Sequence, residues 1–249
     1  MDRLPRIELL DETPSTNDAA LALGRAGAPA GTAVAARSQT CGRGRRGHVW
    51  QSPKGNLYLS IVLRPQVAPS RLPGLAAACG LGAVNALKSL DLANEVQLKW
   101  PNDLLARERK LGGILVEAAR DKDDETFAVC GIGINIASAP RELDAACLTE
   151  LGGAPSFSAL AEALRDRIVT SADAWAGMRE IAPLDGIRDD YLTRLAWLGE
   201  KVVALAPEGS ELCRGTLETV DQWGRAVVGT ATGPRSFSAE QASLRPVRD

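Results

Sequence analysis

The sequence has little of what several classes of enzyme require. It contains a single histidine, His48, so any Ser-His-Asp or Cys-His arrangement would have to use that residue. No nucleophile signature such as G-x-S-x-G surrounds it. We therefore discount a hydrolytic triad and interpret His48 as a loop residue, either near a ligand or simply exposed to solvent.

Paired cysteines and long apolar runs are also missing. The five cysteines form no C-x-x-C pair, which disfavours both a structural zinc site and a disulfide framework and predicts reduced thiols. The N-terminal segment has no apolar core typical of a signal peptide, and no later segment approaches 18 uninterrupted apolar residues. These absences predict a cytoplasmic protein without a membrane partner.

The charge is nearly balanced overall but uneven along the chain. A net charge of -2 and an isoelectric point near 5.6 argue against a general nucleic-acid-binding protein. Five basic side chains nevertheless lie between Arg37 and Lys54, and no carboxylate accompanies them. The positive charge is therefore concentrated at one site.

The centre of that basic stretch is the sequence GRGRRG at residues 42–47. Glycines that adopt positive φ can turn successive backbone N–H groups to one side, and arginines add charge-assisted donors. Such a loop suits a carboxylate or a phosphate. A mobile solvated loop and a sequence-independent nucleic-acid contact are the alternatives.

Hydrophobic periodicity predicts an α+β fold in two domains. A catalytic domain is expected over residues 1–196, and a small antiparallel β-barrel of about 50 residues over 197–249. The predicted strands cover residues 7–10, 32–37, 57–63, 96–100, 104–106, 111–118 and 126–136. The predicted helices cover residues 15–25, 70–90, 157–180 and 184–198.

Three local patterns place side chains within these elements. Ser15 or Thr16 is the expected N-cap of the first helix. Strand alternation puts Gln97 and Lys99 on one face, which would give the arginine loop a second cationic partner. Trp50 is interpreted either as a core anchor or as a lid over a flat ring.

Five motifs together resemble the biotin–protein ligase family, in order along nearly the whole chain. They are Ser15-Thr16-Asn17, the GRGRRG loop with Trp50, KWPND at residues 99–103, RKLGGILVE at residues 109–117, and GIGIN at residues 131–135. The resemblance implies a class II synthetase-like mixed sheet with helices, as in biotin and lipoate ligases, and an SH3-like C-terminal barrel. It also implies that ATP and biotin form biotinyl-5'-AMP and that the biotinyl group passes to a lysine of a biotin carboxyl carrier protein.

The resemblance assigns roles to particular residues. It implies electrostatic catalysis by Arg45, Lys99 and Lys110, with Mg²⁺ entering with ATP and its protein ligands left open. The implied biotin contacts are Ser15, Thr16, Asn17, Gln39, Arg43, Gly44, Arg45, Lys110, Gly112 and Gly113. The implied ATP contacts are Arg45, Arg46, Trp50, Lys99, Asn102 and Asn135.

Some relatives carry a DNA-binding domain ahead of the catalytic core, and the few residues before Ser15 predict a form without it and without a DNA partner. The sequence does not determine the oligomeric state, and it is compatible with a homodimer. Three other functions stay open: a lipoate–protein ligase or octanoyltransferase of the same fold, a regulatory protein that binds a cofactor without chemistry, and a nucleic-acid module built on the Arg/Gly loop.

Overall fold

The computed structural model describes residues 4–92, 96–139, 145–153 and 155–248. Seven strands form one mixed sheet of order β1-β2-β3-β7-β6-β5-β4, in which β1 and β2 are parallel and the other neighbours antiparallel. The strands are β1 Ile7–Leu10, β2 Ala33–Ala36, β3 Leu57–Leu63, β4 Val96–Lys99, β5 Asp103–Ala106, β6 Arg109–Arg120 and β7 Thr126–Ile134.

Successive side chains of the central strands point to opposite faces of the sheet, and a different set of helices covers each face. On β7, Cys130, Ile132 and Ile134 belong to the main core with helices α2 (Leu75–Ser89) and α3 (Phe157–Gly177). Phe127 and Val129 instead pack with helix α1 (Thr16–Arg25) in a separate, smaller cluster. The sheet therefore has α2 and α3 on one face and α1 on the other.

Most predicted elements are present, with two differences in helical extent. Residues Pro69–Gly74 form a 3-10 turn, and α2 begins only at Leu75, because Pro73 cannot donate within a regular helix. The helix expected over residues 184–198 shrinks to α4, Arg188–Leu192. Its flanks prevent extension, since Gly186 and Trp197 have positive φ and Leu195 forms a bridge with Leu98.

The C-terminal segment forms a second, antiparallel sheet of order β11-β10-β9-β8-β12. Its strands are β8 Lys201–Leu205, β9 Glu211–Val220, β10 Ala226–Thr230, β11 Gly233–Phe237 and β12 Ser243–Pro246. Within the described residues, the end strands β11 and β12 are not paired with each other, so the predicted closure into a barrel is not seen. The outermost residues of the two predicted domains, 1 and 249, lie outside the described chain.

The two sheets meet at the turn after β4. The Trp100 indole donates from Nε1 to the Gly224 carbonyl at 2.9 Å, and Leu98 hydrogen-bonds to the 194–196 segment that leads into β8. Among the described residues, none of the helices combines the length and the apolar character needed to cross a membrane.

Candidate active site

The floor of the candidate site is the α1 face of the sheet, where three glycines replace side chains. Gly113 of β6 pairs with Gly133 of β7, and Gly131 lies two residues further along β7. A Cβ at Gly133 would come within 2.8 Å of the Trp50 indole, and one at Gly131 would collide with the Asn17 amide. Bare backbone is needed at these positions because other groups lie directly on the strand.

The wall beside this floor is the N-terminus of α1. Ser15 is the N-cap, and its hydroxyl accepts from the Asp18 backbone N–H at 3.3 Å, which confirms the predicted helix start. Thr16 and Asn17 follow in the first turn and are almost fully buried, at 3% and 6% exposure. Buried polar side chains need partners.

A continuous hydrogen-bond network supplies those partners. The Thr16 backbone N–H donates to Gln39 Oε1 at 2.8 Å, and Gln39 Nε2 donates to Ser52 Oγ at 2.9 Å. Ser60 Oγ lies 2.6 Å from Asn17 Oδ1 and 2.8 Å from Thr16 Oγ1. The network fixes neutral hydrogen-bonding groups at one end of the floor.

Arg43 of the glycine-rich loop closes this end from above. Its guanidinium donates to both carboxylate oxygens of Glu117 at 2.9 Å and to Asp18 Oδ1 at 2.7 Å. Partial burial alone would lower the pKa of Arg43, but the hydrogen bonds and charges of Glu117 and Asp18 raise it. The loop is thus held down by two carboxylates.

The opposite end of the floor carries a cationic cluster around Asp103, which pairs in register with Gly113. Lys99 Nζ contacts Asp103 Oδ2 at 2.8 Å, and Lys110 Nζ contacts Oδ1 at 2.7 Å. Burial lowers the pKa of Lys99 despite this pairing. Burial would raise the pKa of Asp103, but the two ammonium groups lower it. Two lysines thus face one carboxylate, which makes this end of the floor cationic.

Arg45 and Arg46 extend the cationic end toward the C-terminal sheet. Arg45 donates to the Ala239 carbonyl at 2.9 Å and to Asn102 Oδ1 at 3.4 Å, and Arg46 donates to the carbonyls of Ala239 and Ala242. Burial lowers the pKa of Arg45 below that of an exposed arginine. The segment between β11 and β12 therefore supports the loop.

The cavity enclosed by these groups is small, about 40 Å³, which is room for little more than a water molecule. The Trp50 indole fills the remaining space over Gly113 and Gly133, and Lys110 Nζ lies 4.9 Å from its ring centre. Trp50 Nε1 is buried and has no hydrogen-bond partner among the described residues. A ligand with a ring system must therefore displace Trp50.

A larger cleft of about 780 Å³ adjoins the cavity and extends to the C-terminal sheet. Arg45, Asn102 and Leu115 line both spaces, so the cavity opens into the cleft beside the cationic end. Arg46 lines the cleft only.

The structure brings most of the predicted site residues together. Those that line the small cavity are Ser15, Thr16, Asn17, Gln39, Arg43, Gly44, Arg45, Trp50, Asn102 and Gly113. Lys99 and Lys110 lie beside it, on Asp103.

Two predicted contacts lie elsewhere. Gly112 faces the main core, where a Cβ would meet the Gly133 carbonyl and Ile134. Asn135 is buried, and its amide donates to the carbonyls of Ala146 at 3.1 Å and Lys110 at 3.4 Å. These positions do not support a direct biotin contact for Gly112 or an ATP contact for Asn135. Gly112 faces away from the cavity because successive residues of β6 point to opposite faces of the sheet.

Other site residues were not singled out from the sequence. Asp103 and Glu117 stood within the quoted motifs. The partners of Asp103, Lys99 and Lys110, are close to it in sequence, whereas Glu117 is 100 positions from its partner Asn17. The glycines inside β7 were the available signal for the floor. Among the described residues, no group of three or more His, Cys, Asp or Glu side chains could hold a metal ion.

Comparison with known proteins agrees with this arrangement. The model of the Biotin/lipoate A/B protein ligase family matches residues 9–135. The chain is 32% identical to the biotin–[acetyl-CoA-carboxylase] ligase of Paracoccus denitrificans, over 94% of this chain and 98% of that one.

Solved structures show the same likeness over nearly the whole chain. The biotin protein ligase of Aquifex aeolicus in complex with biotin and ATP superposes with a TM-score of 0.80 at 28% identity, covering 97% of this chain and 99% of that one. The biotin protein ligase of Leishmania major in complex with biotinyl-5-AMP superposes with a TM-score of 0.67 at 30% identity, covering 94% and 99%.

Proposed function

Because the chain belongs to the biotin/lipoate A/B protein ligase family, we propose that it ligates biotin to protein, using ATP to form biotinyl-5'-AMP and passing the biotinyl group to a lysine of a biotin carboxyl carrier protein. The observation that carries the proposal is the division of one cavity into a neutral hydrogen-bonding end and a cationic end. Biotin has the same division, with a ring urea at one end and a carboxylate at the other.

The neutral end favours biotin over lipoate. Thr16, Asn17 and Ser60 are buried polar groups, and a ring urea offers N–H donors and a carbonyl acceptor to such groups. The dithiolane ring of lipoate offers neither, so it would gain no hydrogen bond from these groups and would bind less tightly than biotin. Lipoate ligation therefore ranks second.

The cationic end suits the first chemical step. A carboxylate oxygen of biotin attacks the α-phosphorus of ATP, a P–O bond forms, and pyrophosphate leaves. Both reactants are anions, so fixed cations are needed to bring them within reach. We assign that role to Arg45, Lys99 and Lys110, which stabilise the charge that develops on the phosphoryl oxygens.

We place the α-phosphate where the cavity meets the larger cleft. Arg45 and Asn102 line both spaces, and Arg46 lies on the cleft side. Trp50 then moves from the floor and covers the ligand on the adenylate side. Mg²⁺ arrives bound to the ATP phosphates as part of the substrate, and no protein ligand is assigned to it.

The second step transfers the acyl group. The carrier lysine amine attacks the acyl carbonyl, AMP leaves with the carbonyl–phosphate oxygen, and an amide forms. The glycine-rich loop must stay closed until then, because water would hydrolyse the acyl phosphate. The Arg43 contacts with Glu117 and Asp18 support this closure.

The remaining expectations are also proposals. A catalytic domain over residues 1–196 and an SH3-like domain over 197–249 are supported by the two separate sheets and by the antiparallel order in which β12 returns beside β8. A cytoplasmic setting is supported by five free cysteines. Sedimentation with and without biotin tests whether the protein forms a homodimer. A DNA-retention assay tests the expected lack of a DNA partner.

The deciding experiment is pyrophosphate release from ATP with biotin, with lipoic acid or with neither, in the presence of a biotin carrier domain. Biotin-dependent release, with biotin appearing on the carrier, is the expected result. The same carrier with its acceptor lysine changed to arginine is the control and must stay unlabelled. Lipoate-dependent release would overturn the proposal in favour of the sister reaction, and biotin binding without release would reduce the site to a sensor.

A further inference from the structure

Trp197 lies in the segment that joins the two sheets, and its indole is buried, at 7% exposure. On one side of it, the Ala196 backbone N–H donates to the Leu98 carbonyl of β4 at 2.8 Å. On the other side, the Gly199 backbone N–H donates to the Leu217 carbonyl of β9 at 2.8 Å. Trp197 is therefore anchored to both sheets by its neighbours in sequence.

The backbone of Trp197 is in the left-handed region, with a φ of 62°. Bulky side chains rarely adopt this conformation, whereas glycine accepts it without strain. A strained residue persists only where its surroundings require it, and such residues are common at functional sites. The turn alone does not require a tryptophan, so the contacts of the indole decide its role.

The Trp197 ring faces the cationic end of the floor. Lys99 Nζ lies 5.9 Å from the ring centre, within the range over which an aromatic face attracts an ammonium group. The same Nζ contacts Asp103 Oδ2 at 2.8 Å, and the Lys99 side chain is only 11% exposed. An aromatic face attracts a desolvated cation more strongly than an exposed one. Trp197 and Asp103 together therefore define where the charge of Lys99 lies.

The second lysine on Asp103 has an aromatic neighbour of a different kind. Lys110 Nζ lies 4.9 Å from the centre of the Trp50 ring, which a ligand with a ring system must displace from the floor. Trp197 lines neither the small cavity nor the larger cleft, so no ligand needs to move it. Lys99 therefore keeps its aromatic contact when the site fills, whereas Lys110 exchanges its own for the ligand.

We propose that Trp197 is a positioning residue for adenylate formation, and that it holds the Lys99 ammonium group at the phosphate end of the site through a cation–π contact. The segment that leads into the C-terminal sheet thereby acts on the chemistry. The inference rests on the proposed function, because Lys99 acts on the charge that develops when the biotin carboxylate attacks ATP.

The contact has a consequence for the pH dependence of the reaction. Burial lowers the pKa of Lys99, and the positive charges of Lys110 and Arg245 act in the same direction, whereas Asp103 opposes them. The Trp197 ring also favours the ammonium form. A weaker attraction by the ring should therefore lower the pKa of Lys99 further, so that the rate of adenylate formation begins to fall at a lower pH.

Fluorinated tryptophans test the contact while leaving the shape of the side chain nearly unchanged. Each fluorine withdraws electron density from the indole face and weakens its attraction for a cation. Monofluoro-, difluoro- and trifluorotryptophan at position 197 of the intact protein should move the alkaline decline stepwise to lower pH, by about half a pH unit over the series. Rapid-quench rates of adenylate formation give the profile. Biotin affinity without ATP, measured by calorimetry, should stay within about threefold of the wild type.

The same series at Trp175 of α3 is the matched control. Arg71 lies 4.9 Å from the Trp175 ring centre, and an arginine does not titrate in this range. Fluorination there should leave the pH profile unchanged. In the Lys99→Arg background, fluorination at position 197 should likewise move the decline no further, because the titrating group is gone.

Conventional variants give a second measure at neutral pH. Trp197→Leu keeps apolar cover over Lys99 but removes the aromatic face, and it should slow adenylate formation about five- to tenfold. Trp197→Phe retains an aromatic face and should recover most of this loss.

A decline at one unchanged pH throughout the series at position 197 would overturn the inference, as would an equal shift in the series at Trp175. Equal losses of rate in Trp197→Leu and Trp197→Phe would also contradict it. These outcomes differ from failure of the proposed function, in which the wild type itself would release no pyrophosphate in response to biotin. That result would overturn both.

Discussion

Two carboxylates stand at the two ends of the cavity floor and are used differently. Asp103 pairs with Gly113, and Glu117 lies four residues further along β6, about 13 Å away at the rise of an extended strand. The Asp103 side chain is 11% exposed and contacts two ammonium groups. The Glu117 side chain is 27% exposed and contacts a guanidinium and a neutral amide.

The difference shows that the partners of a carboxylate decide its role. Asp103 is one carboxylate in contact with two lysines, so this end of the floor is cationic and can bind the phosphate. Glu117 is neutralised by Arg43, and it holds the Asn17 amide in place by accepting a hydrogen bond from Asn17 Nδ2. We therefore expect variants at the Asp103 end to change the rate of adenylate formation and variants at the Glu117 end to change the affinity for biotin.

The largest effect is expected for Lys110→Ala, at the Asp103 end. Removing a cation aimed at the developing phosphoryl charge should slow adenylate formation about 10²- to 10³-fold. The dissociation constant for biotin without ATP should rise by less than about tenfold, since the urea contacts are untouched. Rapid-quench measurement of adenylate and calorimetry of biotin binding check the two values.

Lys122→Ala is the matched control, because Lys122 is a mostly exposed lysine in the turn between β6 and β7. Its rate should equal that of the wild type. A large loss of biotin affinity in Lys110→Ala with an unchanged rate of adenylate formation would contradict the proposal that the Asp103 end determines the rate and the Glu117 end the affinity.

A smaller effect is expected for Gly131→Ala, at the Glu117 end. The added Cβ would collide with the Asn17 amide and displace it from Ser60 and Glu117. Biotin affinity should fall about tenfold, because buried polar groups lose their partners. The rate with saturating biotin should stay within about threefold of the wild type.

Gly177→Ala serves as the control, since a Cβ at that position meets no atom within 4 Å. Calorimetry and single-turnover rates measured on both variants give the comparison. If Gly131→Ala slowed the saturated rate as strongly as Lys110→Ala, the neutral end would share in the chemistry.

The smallest effect at neutral pH is expected for Lys99→Arg. Burial lowers the pKa of Lys99, so its ammonium form is lost as pH rises through a value below the ordinary 10.5. The rate of adenylate formation should therefore begin to fall at a lower pH than it would if Lys99 had an ordinary lysine pKa. Arginine stays protonated there, so the variant should move this decline to higher pH.

The pH profile of adenylate formation between neutral and alkaline pH checks this expectation. Lys201→Arg, at an exposed position in β8, should leave the profile unchanged. A profile of Lys99→Arg identical to that of the wild type would assign the decline to another group.

Local signals predicted much of this molecule from its sequence. The hydroxyl of Ser15 caps α1 because the cap, the acidic residue in the first turn and the apolar positions are all adjacent in sequence. The uninterrupted apolar run of β3 and the glycines of β7 were also local patterns. The first predicted the strand that leaves the loop, and the second marked glycines inside a strand without identifying them as the floor of the site.

Long-range pairing could not be predicted in the same way. Nothing near Glu117 in sequence indicates Asn17 as its partner, and the contact forms only because β6 passes beneath the first turn of α1. The turn at residues 238–242 gave no signal either, since its contribution to Arg45 comes from the Ala239 carbonyl. The shortened α4 depended on the bridge between Leu98 and Leu195.

The support of the loop by main-chain oxygens has a consequence for how this protein can diverge. The carbonyls of Ala239 and Ala242 remain when their side chains are exchanged, so the residues that hold Arg45 and Arg46 can drift without altering the contact. Side-chain covariation between the two segments would consequently be limited to the ion pair of Arg45 with the exposed Glu240. Insertions or deletions that change the length of the turn are the changes that selection should remove.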